Sequence, residues 1–334
     1  MRNVLEIKNL RLSFGKDEDR VEVLSGVSLS IPEGKIIGVV GESGCGKTVT
    51  ALSIMRLIPE PPGRIDGGEI IFDGANLLRL SERDIRAIRG NRISMIFQEP
   101  LSSLNPVFSV GEQIGETIRT HLRVSKKEEK ERTVELLKLV RIPSPETRMN
   151  SYPHELSGGM CQRIMIAMAL ACNPELLIAD EPTTALDVTI QAGILELINE
   201  LREKFGMSVF LITHDLGIVA EVADEVYVMY AGKIVEHAST QNLFENPRHP
   251  YTVGLMNSIP GLNEKRKRLS AIPGIIPNPK DFPVGCRFQD RCPLAIDKCR
   301  ISEPTLEGID GHQSACFRSG EVNFEVYNLT QGNI

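Results

Sequence analysis

The residues with the clearest chemistry lie in a glycine-rich loop, Gly41 to Thr48, which fits the pattern G-x-x-x-x-G-K-[ST]. Its glycines allow backbone N–H groups to converge on phosphate oxygens, and the helix that follows adds positive potential. Lys47 is expected to reach the outer phosphates of a nucleotide and Thr48 to ligate Mg²⁺. The predicted nucleotide contacts are Gly41, Ser43, Gly44, Cys45, Gly46, Lys47, Thr48 and Val49.

A second chemical feature is a pair of acids after an apolar run, at Asp180 and Glu181. The run, residues 176–180, predicts a strand that ends in a carboxylate, beside the glycine-rich loop at the carboxyl edge of a sheet. Asp180 is then the acidic partner of Mg²⁺, directly or through water. Glu181 is free to polarise an attacking water as general base.

These residues must be positioned by a sheet, and the hydrophobic pattern indicates which kind. Residues 4–10 and 27–31 alternate at period two and predict an antiparallel β element at the start of the chain. Short apolar strands follow at residues 36–40, 93–97, 176–179 and 209–212, separated by helical stretches, and the periodicity is helical between residues 111 and 139. The predicted fold class is α/β with a mainly parallel central sheet.

Composition limits the function further. The apolar runs of this 334-residue chain are too short to span a bilayer. The amino terminus lacks the pattern of a secretory signal, so we expect a cytosolic, reducing compartment. The net charge of −6 argues against nucleic acid as a partner, because phosphate backbones are bound mainly through accumulated Lys and Arg.

Three more segments complete an ordered series: Gln98, Leu156-Ser-Gly-Gly-Met160 and His214. The series resembles the ATP-binding subunits of ABC transporters, whose signature LSGGQ is matched here except at Met160. The resemblance implies a P-loop NTPase fold, RecA-like, with an antiparallel β subdomain and a helical subdomain at about residues 99–165, all within residues 1–245. It also implies that Ser157, Gly158 and Gly159 contact the γ-phosphate of ATP held by a second ATPase subunit, in a head-to-tail homodimer or heterodimer.

The same resemblance assigns roles to single residues. Gln98 corresponds to the glutamine that senses Mg²⁺ and the lytic water, and His214 to the histidine that contacts the γ-phosphate. With Glu181 they form the expected catalytic set, while Thr48, Gln98 and Asp180 form the expected magnesium set. Phe14 is the aromatic residue expected to stack on adenine, and residues 185–187 match the D-loop.

Two segments indicate a subfamily within this family. Residues 98–106 and 246–252 resemble the dipeptide and oligopeptide importers. That subfamily implies two transmembrane permease subunits, an extracellular or periplasmic solute-binding protein, and a peripheral position on the cytoplasmic side of the cell membrane. Some relatives carry nickel or other small solutes, so an importer ATPase for such a cargo is the alternative.

The carboxyl-terminal extension, residues 246–334, is punctuated by proline and is predicted to be rich in loops and short elements. It contains Cys286, Cys292, Cys299 and Cys316, with five, six and sixteen residues between successive cysteines. None of these spacings is a zinc knuckle, and four thiolates suit either Zn²⁺ or an iron–sulfur cluster. The resemblance favours a [4Fe–4S] cluster, with Zn²⁺ second and free thiols third; His312 is a further candidate ligand. Residues 265–268 are basic and are expected to form a solvated turn.

Two other functions compete with transport: a soluble ABC-type ATPase of DNA repair or ribosome function, and a redox sensor regulated by ATP. Repair members carry long insertions between the phosphate loop and the signature, whereas Lys47 and Ser157 are only 110 positions apart. Ribosome-type members carry two cassettes, and this chain has one. We therefore expect an enzyme that converts ATP and water to ADP and phosphate in order to drive peptide import.

Overall fold

The computed structural model of the chain describes residues 2–184, 186–258, 272–324 and 326–327. Its strands are β1 Asn3–Phe14, β2 Val21–Pro32, β3 Ile36–Val40, β4 Gly63–Phe72, β5 Ala75–Asn76, β6 Ile93–Ile96, β7 Leu176–Asp180, β8 Ser208–Thr213, β9 Glu225–Tyr230, β10 Lys233–Ser239, β11 Glu307–Ile309 and β12 His312–Ser314. Two stretches discussed above lie wholly or partly outside the described residues: the D-loop match, of which Ala185 is not described, and the basic run at 265–268.

The helices in the described residues are α1 Lys47–Ile54, α2 Glu82–Ile88, α3 Pro100–Ser103, α4 Val110–His121, α5 Lys126–Leu139, α6 Pro145–Arg148, α7 Gly158–Ala169, α8 Val188–Phe205, α9 Leu216–Val222, α10 Thr240–Glu245, α11 Pro250–Asn257 and α12 Asp297–Ile301. Among them, none combines the length and the apolar character that crossing a lipid bilayer would require.

The chain forms two compact units. The first comprises residues Met1–Val4, Ile31–Lys35 and Asn76–Ile212. Its strands are parallel and lie in the order β8, β7, β6, with Leu176 opposite Ser208 and Ile93 opposite Leu176. Every residue of β7 and β8 is buried, as a parallel strand covered on both faces requires.

The second unit comprises residues Leu5–Ser30, Ile36–Ala75 and Thr213–Ile334. One of its sheets has the order β2, β1, β4, β5, with β1 and β4 antiparallel from Leu5 opposite Phe72 to Phe14 opposite Gly63. The other runs β11, β12, β10, β9, β3, and only the β3–β9 pairing in this stretch is parallel. The α/β prediction is confirmed, and so is an antiparallel β element at the start of the chain.

The extension shares a hydrophobic core with the strands that precede it. Tyr251 and Leu255 of α11, together with Phe288, pack against Val228 and Tyr230 of β9. The rings of Tyr230, Tyr251 and Phe288 meet edge to face, with centroids 4.7–5.4 Å apart. The extension also supplies β11 and β12, which continue the sheet beyond β10. Its short elements are therefore held by a core that they do not have to build alone.

Candidate functional site

The glycine-rich loop connects β3 to α1, as its sequence predicts. Two of its glycines are required by close approach of the backbone. A Cβ at Gly41 would lie 2.2 Å from the carbonyl oxygen of Met229, and one at Gly46, whose φ is +111°, would lie 2.8 Å from the side chains of Leu24 and Met229. Another residue type at either position would displace the loop.

Lys47 is buried at the first position of α1. Its ammonium donates hydrogen bonds to the carbonyl oxygens of Gly41 at 2.7 Å and Glu42 at 3.1 Å. The positive charge is thus held inside the loop by the loop's own backbone. Ser43, Gly44 and Thr48 are exposed on the same loop, and Val49 is half-buried.

Cys45 is buried within the loop, and burial raises the pKa of its thiol. The Lys47 ammonium, 3.8 Å from the Cys45 sulfur, opposes this shift. Phe14, the predicted adenine contact, is half-buried at the end of β1 opposite Gly63, where a Cβ on the glycine would lie 3.0 Å from its ring.

Sequence reasoning missed how the extension contacts the loop at Glu42. The Glu42 carboxylate accepts two hydrogen bonds from Arg291, at 2.7 and 2.9 Å. The Glu42 backbone N–H donates to the hydroxyl of Tyr251 at 2.8 Å. No local pattern could reveal a pair separated by 249 positions.

The predicted acids and Gln98 lie in the first unit, at the carboxyl ends of β6 and β7. Asp180 ends β7 and is buried, and Glu181 follows it. Because β6 and β7 are parallel with Ile96 opposite Ala179, Gln98 emerges at the same edge. The Gln98 amide donates to the Glu181 carboxylate at 3.1 Å, so the structure brings these two together.

Glu181 has an unusual backbone conformation. Its φ is +46°, a left-handed value that a residue with a side chain seldom adopts. The Glu181 N–H donates to the carbonyl of Ile212 at 2.8 Å, and its carboxylate accepts from the Thr184 hydroxyl at 2.9 Å. Bonds at both backbone and side chain hold this residue in a strained state, as is common at functional sites.

The signature segment begins α7, with Ser157 as the N-cap. The Ser157 hydroxyl accepts from the Met160 backbone N–H at 3.4 Å, a bond that does not depend on the residue type at position 160. Ser157 and Gly158 are exposed, and Gly159 is packed so closely that a Cβ would lie 3.1 Å from Ile190. The N–H groups of a first helical turn have no acceptor within the helix and favour an anion.

Two further predicted residues lie at helix starts. Asp187 is the N-cap of α8, and its carboxylate accepts from the Ile190 N–H at 2.9 Å. His214 is exposed between β8 and α9, in the second unit. Gln98, Ser157, Asp180 and Glu181 belong to the first unit, whereas Phe14 and residues 41–48 belong to the second.

The four late cysteines all belong to the second unit, and none of them forms a disulfide bond. Burial raises the pKa of Cys286 to about 11, of Cys292 to about 12 and of Cys316 to about 11, and neighbouring cysteines of the set raise each further. The Cys286 N–H also donates to the Cys299 carbonyl at 2.8 Å. Four cysteines are a donor set that thiolate-bound groups use, but the raised pKa values favour the protonated thiols, and within the described ranges no three His, Cys, Asp or Glu side chains are arranged to hold a metal ion.

His312, the extra candidate ligand, is engaged elsewhere. Its Nε2 lies 2.8 Å from a carboxylate oxygen of the fully buried Glu236. The same carboxylate accepts from the backbone N–H groups of Arg248 and His249 and from the Thr252 hydroxyl. This group anchors the extension to β10.

Comparison with known proteins identifies two matching regions. Residues 24–184 match the family model of ABC transporters, and residues 235–299 match the model of the oligopeptide/dipeptide transporter carboxyl-terminal region. The chain is 56% identical to a probable peptide ABC transporter ATP-binding protein, y4tR, of Sinorhizobium fredii, over 96% of each chain. It is 51% identical to the oligopeptide transport ATP-binding protein AppD of Bacillus subtilis, over 92% of this chain and 93% of that one. It is 48% identical to the dipeptide transport ATP-binding protein DppD of Escherichia coli, over 94% and 96%.

The solved structures similar to this chain are also ATP-binding cassettes. The dimeric ATP-binding cassette MJ0796, in a post-hydrolysis state with ADP and Pi, matches with a TM-score of 0.64 and 28% identity, over 71% of this chain and 98% of that one. The cassette cbiO1 of Clostridium perfringens, part of the transporter complex cbiONQ, matches with a TM-score of 0.62 and 25% identity, over 73% and 92%.

Proposed function

The chain belongs to the ATP-binding subunits of the ABC transporter family and is an ATPase of that family, and from this premise we propose that it drives the import of dipeptides or oligopeptides. The observation that carries the cargo class is the second matched region, residues 235–299, which lies outside the cassette match. Relatives that are similar over almost the whole chain are named for peptide, oligopeptide and dipeptide transport.

The proposed chemistry assigns each residue one task. The loop at residues 41–48 binds the phosphates of ATP through backbone N–H groups and Lys47, and Phe14 stacks on adenine. Glu181 accepts a proton from the attacking water as its oxygen bonds to the γ-phosphorus and the bond to ADP breaks. The hydrogen bond from Gln98 to Glu181 at 3.1 Å supports a shared task in orienting that water. His214 contacts the γ-phosphate.

Thr48 and Asp180 are the residues that would hold Mg²⁺, with Gln98 as a further ligand. One hydroxyl and one carboxylate fit this ion, which commonly takes one or two protein ligands together with substrate phosphates. When bound, Mg²⁺ neutralises charge on the phosphates.

We propose that residues 246–334 form a carboxyl-terminal extension to a nucleotide-binding domain at residues 1–245, and that Cys286, Cys292, Cys299 and Cys316 of this extension hold a [4Fe–4S] cluster, with Zn²⁺ as the alternative. Support comes from the four cysteines, which are not paired in disulfides and lie close enough to influence one another's pKa. Because thiol ligands must lose their protons, loading should release protons. Anaerobically purified protein should absorb broadly near roughly 400 nm. If the purified protein is colourless and contains stoichiometric zinc, the cluster proposal is rejected and the Zn²⁺ alternative is supported.

The proposed partners are a second ATPase subunit, two transmembrane permease subunits and an extracellular or periplasmic solute-binding protein. The chain would then lie on the cytoplasmic side of the cell membrane as a peripheral subunit. The dimeric cassette among the similar structures supports pairing of two ATPase subunits.

Reconstitution tests the cargo. The chain, its partner ATPase, the permeases and the binding protein are placed in lipid vesicles, and ATP hydrolysis and solute uptake are measured with dipeptides, longer peptides or Ni²⁺. Peptide-stimulated hydrolysis and uptake are expected, and both should fall in Lys47→Ala, which damages one of the two shared ATP sites. Stimulation by Ni²⁺ but not by peptides would establish the alternative cargo.

A further inference from the structure

Glu42 places a carboxylate inside a loop that binds a polyanion. A negative charge there would repel ATP unless a cation neutralised it. Arg291 of the extension supplies that cation through two parallel hydrogen bonds, at 2.7 and 2.9 Å. We infer that Arg291 is a positioning residue for ATP binding, which neutralises Glu42 and fixes the first turn of the phosphate loop.

The guanidinium of Arg291 is itself fixed. Its Nε donates to the carbonyl of Pro273 at 2.8 Å, so the bonds to Glu42 and Pro273 engage all three of its nitrogens. The Arg291 side chain is 5% exposed and lies over the rings of Tyr230 and Phe288. A planar guanidinium held in this way presents its fork to a carboxylate with little remaining entropy to lose.

The extension holds the backbone of Glu42 as well as its side chain. The Tyr251 hydroxyl accepts from the Glu42 N–H at 2.8 Å. On the other side, the Glu42 carbonyl accepts from the Lys47 ammonium at 3.1 Å. A shift of Glu42 would therefore alter the acceptor that holds Lys47, the residue proposed to bind the outer phosphates.

Two possible roles of Arg291 can be separated experimentally. If Arg291 only stabilises the extension, its substitution should affect the affinity for ATP whether or not residue 42 is charged. If Arg291 neutralises Glu42, its substitution should no longer affect the affinity for ATP once residue 42 is neutral. The double-mutant cycle of Glu42→Gln and Arg291→Gln therefore isolates the proposed role.

The experiment titrates the full chain with a fluorescent MgATP analogue and measures steady-state hydrolysis of MgATP. In Arg291→Gln, affinity should fall roughly tenfold, as expected when a charged hydrogen-bonded pair is broken. KM for ATP should rise in parallel, while kcat at saturating ATP is retained. Arg291→Lys, which keeps the charge but not the fork, should lie between Arg291→Gln and the unmodified protein. Glu42→Gln with Arg291→Gln should recover the affinity of the unmodified chain.

The matched control is Arg318→Gln, because Arg318 is another arginine of the extension that forms a two-point pair, with Glu321, and makes no described contact with the loop. It should bind ATP normally. Unchanged affinity in Arg291→Gln, or an equal loss in the double variant, would overturn the inference. If Arg291→Gln does not fold, Arg291→Lys carries the test, and an affinity equal to that of the unmodified chain would overturn the inference, since an ammonium cannot reproduce the fork of two bonds to Glu42.

This inference rests on the proposed role of the phosphate loop, and the two can fail separately. Equal binding by the unmodified chain and Lys47→Ala would reject the ATP site itself. If ATP binding depends on Lys47 but is unchanged in Arg291→Gln, only the positioning role of Arg291 would be rejected.

Discussion

Glu181, the proposed general base, is held in an unusual backbone conformation. Its left-handed φ of +46° aims the carboxylate at Gln98 and Thr184 while its N–H is held by Ile212. Strain of this kind persists only where surrounding bonds over-determine it. The position of Glu181 after an apolar strand could be predicted from sequence, but its backbone conformation could not.

Glu181→Gln tests the general base directly. An amide of the same shape can keep a hydrogen bond with Thr184, but it cannot accept a proton from water. ATP binding should persist, while hydrolysis should fall by roughly 10²- to 10⁴-fold. Nucleotide retention and phosphate release in a single turnover measure the two effects.

Glu175→Gln is a suitable control for this variant. Glu175 directly precedes β7, whereas Glu181 directly follows it, and Glu175 forms an exposed pair with Arg92. Because such pairs contribute little to stability, hydrolysis should be unchanged. Full activity of Glu181→Gln would exclude Glu181 as the base.

At the scale of elements, apolar runs predicted the strands that position the site. The runs at 36–40, 93–97, 176–179 and 209–212 became β3, β6, β7 and β8 with shifts of one residue at the ends, except at the unchanged β3. The helical stretch at 111–139 proved to be α4 and α5. Their starts are capped by Ser109 with Glu112 and by Ser125 with Glu128, a serine-to-glutamate spacing that the sequence displays.

Other elements depend on distant partners and carry weak local signals. β4, Gly63–Phe72, contains three glycines and forms a strand because it pairs with β1. The contacts of Arg291 with Glu42 and of His312 with Glu236 join distant parts of the sequence. Sequence patterns describe neighbours along the chain, so they predicted the loop between β3 and α1 and the acid at the end of β7, but not the residues of the extension that hold the loop.

His249, which caps the start of α11, should make the free energy of unfolding depend on pH. Burial lowers the pKa of this imidazole to about 3, and its neutral Nδ1 accepts from the Tyr251 N–H at 3.1 Å. An unfolded histidine has a pKa near 6.5. Between these values the unfolded chain binds the extra proton, so the free energy of unfolding should decrease as pH falls, by up to about 1.4 kcal/mol per pH unit.

Urea unfolding from pH 7 to pH 4 measures this slope. His249→Asn keeps a side chain that can cap a helix but cannot titrate, and it should reduce the slope relative to the unmodified chain. The exposed His154→Asn should leave the slope unchanged. An identical pH dependence in His249→Asn would show that His249 is not the source.

At the scale of the whole molecule, the two segments proposed to contact ATP need not serve the same nucleotide. Lys47 lies in the second unit and Ser157 in the first. In the proposed head-to-tail pair, the loop of one copy and the signature helix of the other share each ATP. Because a two-fold pair repeats every contact, it contains two such sites.

This sharing predicts that two inactive chains can restore activity to each other. Ser157→Arg should block the signature helix by bulk and charge, and Lys47→Ala should remove the phosphate-binding ammonium. A pair of copies that carry one substitution each has one site with both halves intact, so ATP hydrolysis should return. Pairs isolated through two different affinity tags provide the measurement.

The matched control joins an unmodified copy to a copy that carries both substitutions. The number of substitutions is the same, but each site now contains one damaged half, because the double variant contributes its loop to one site and its helix to the other. Such pairs should be inactive. If each chain instead used its own loop and its own helix, this control pair would retain one working site, whereas the pair of single variants would retain none. The order of the two activities would then be reversed.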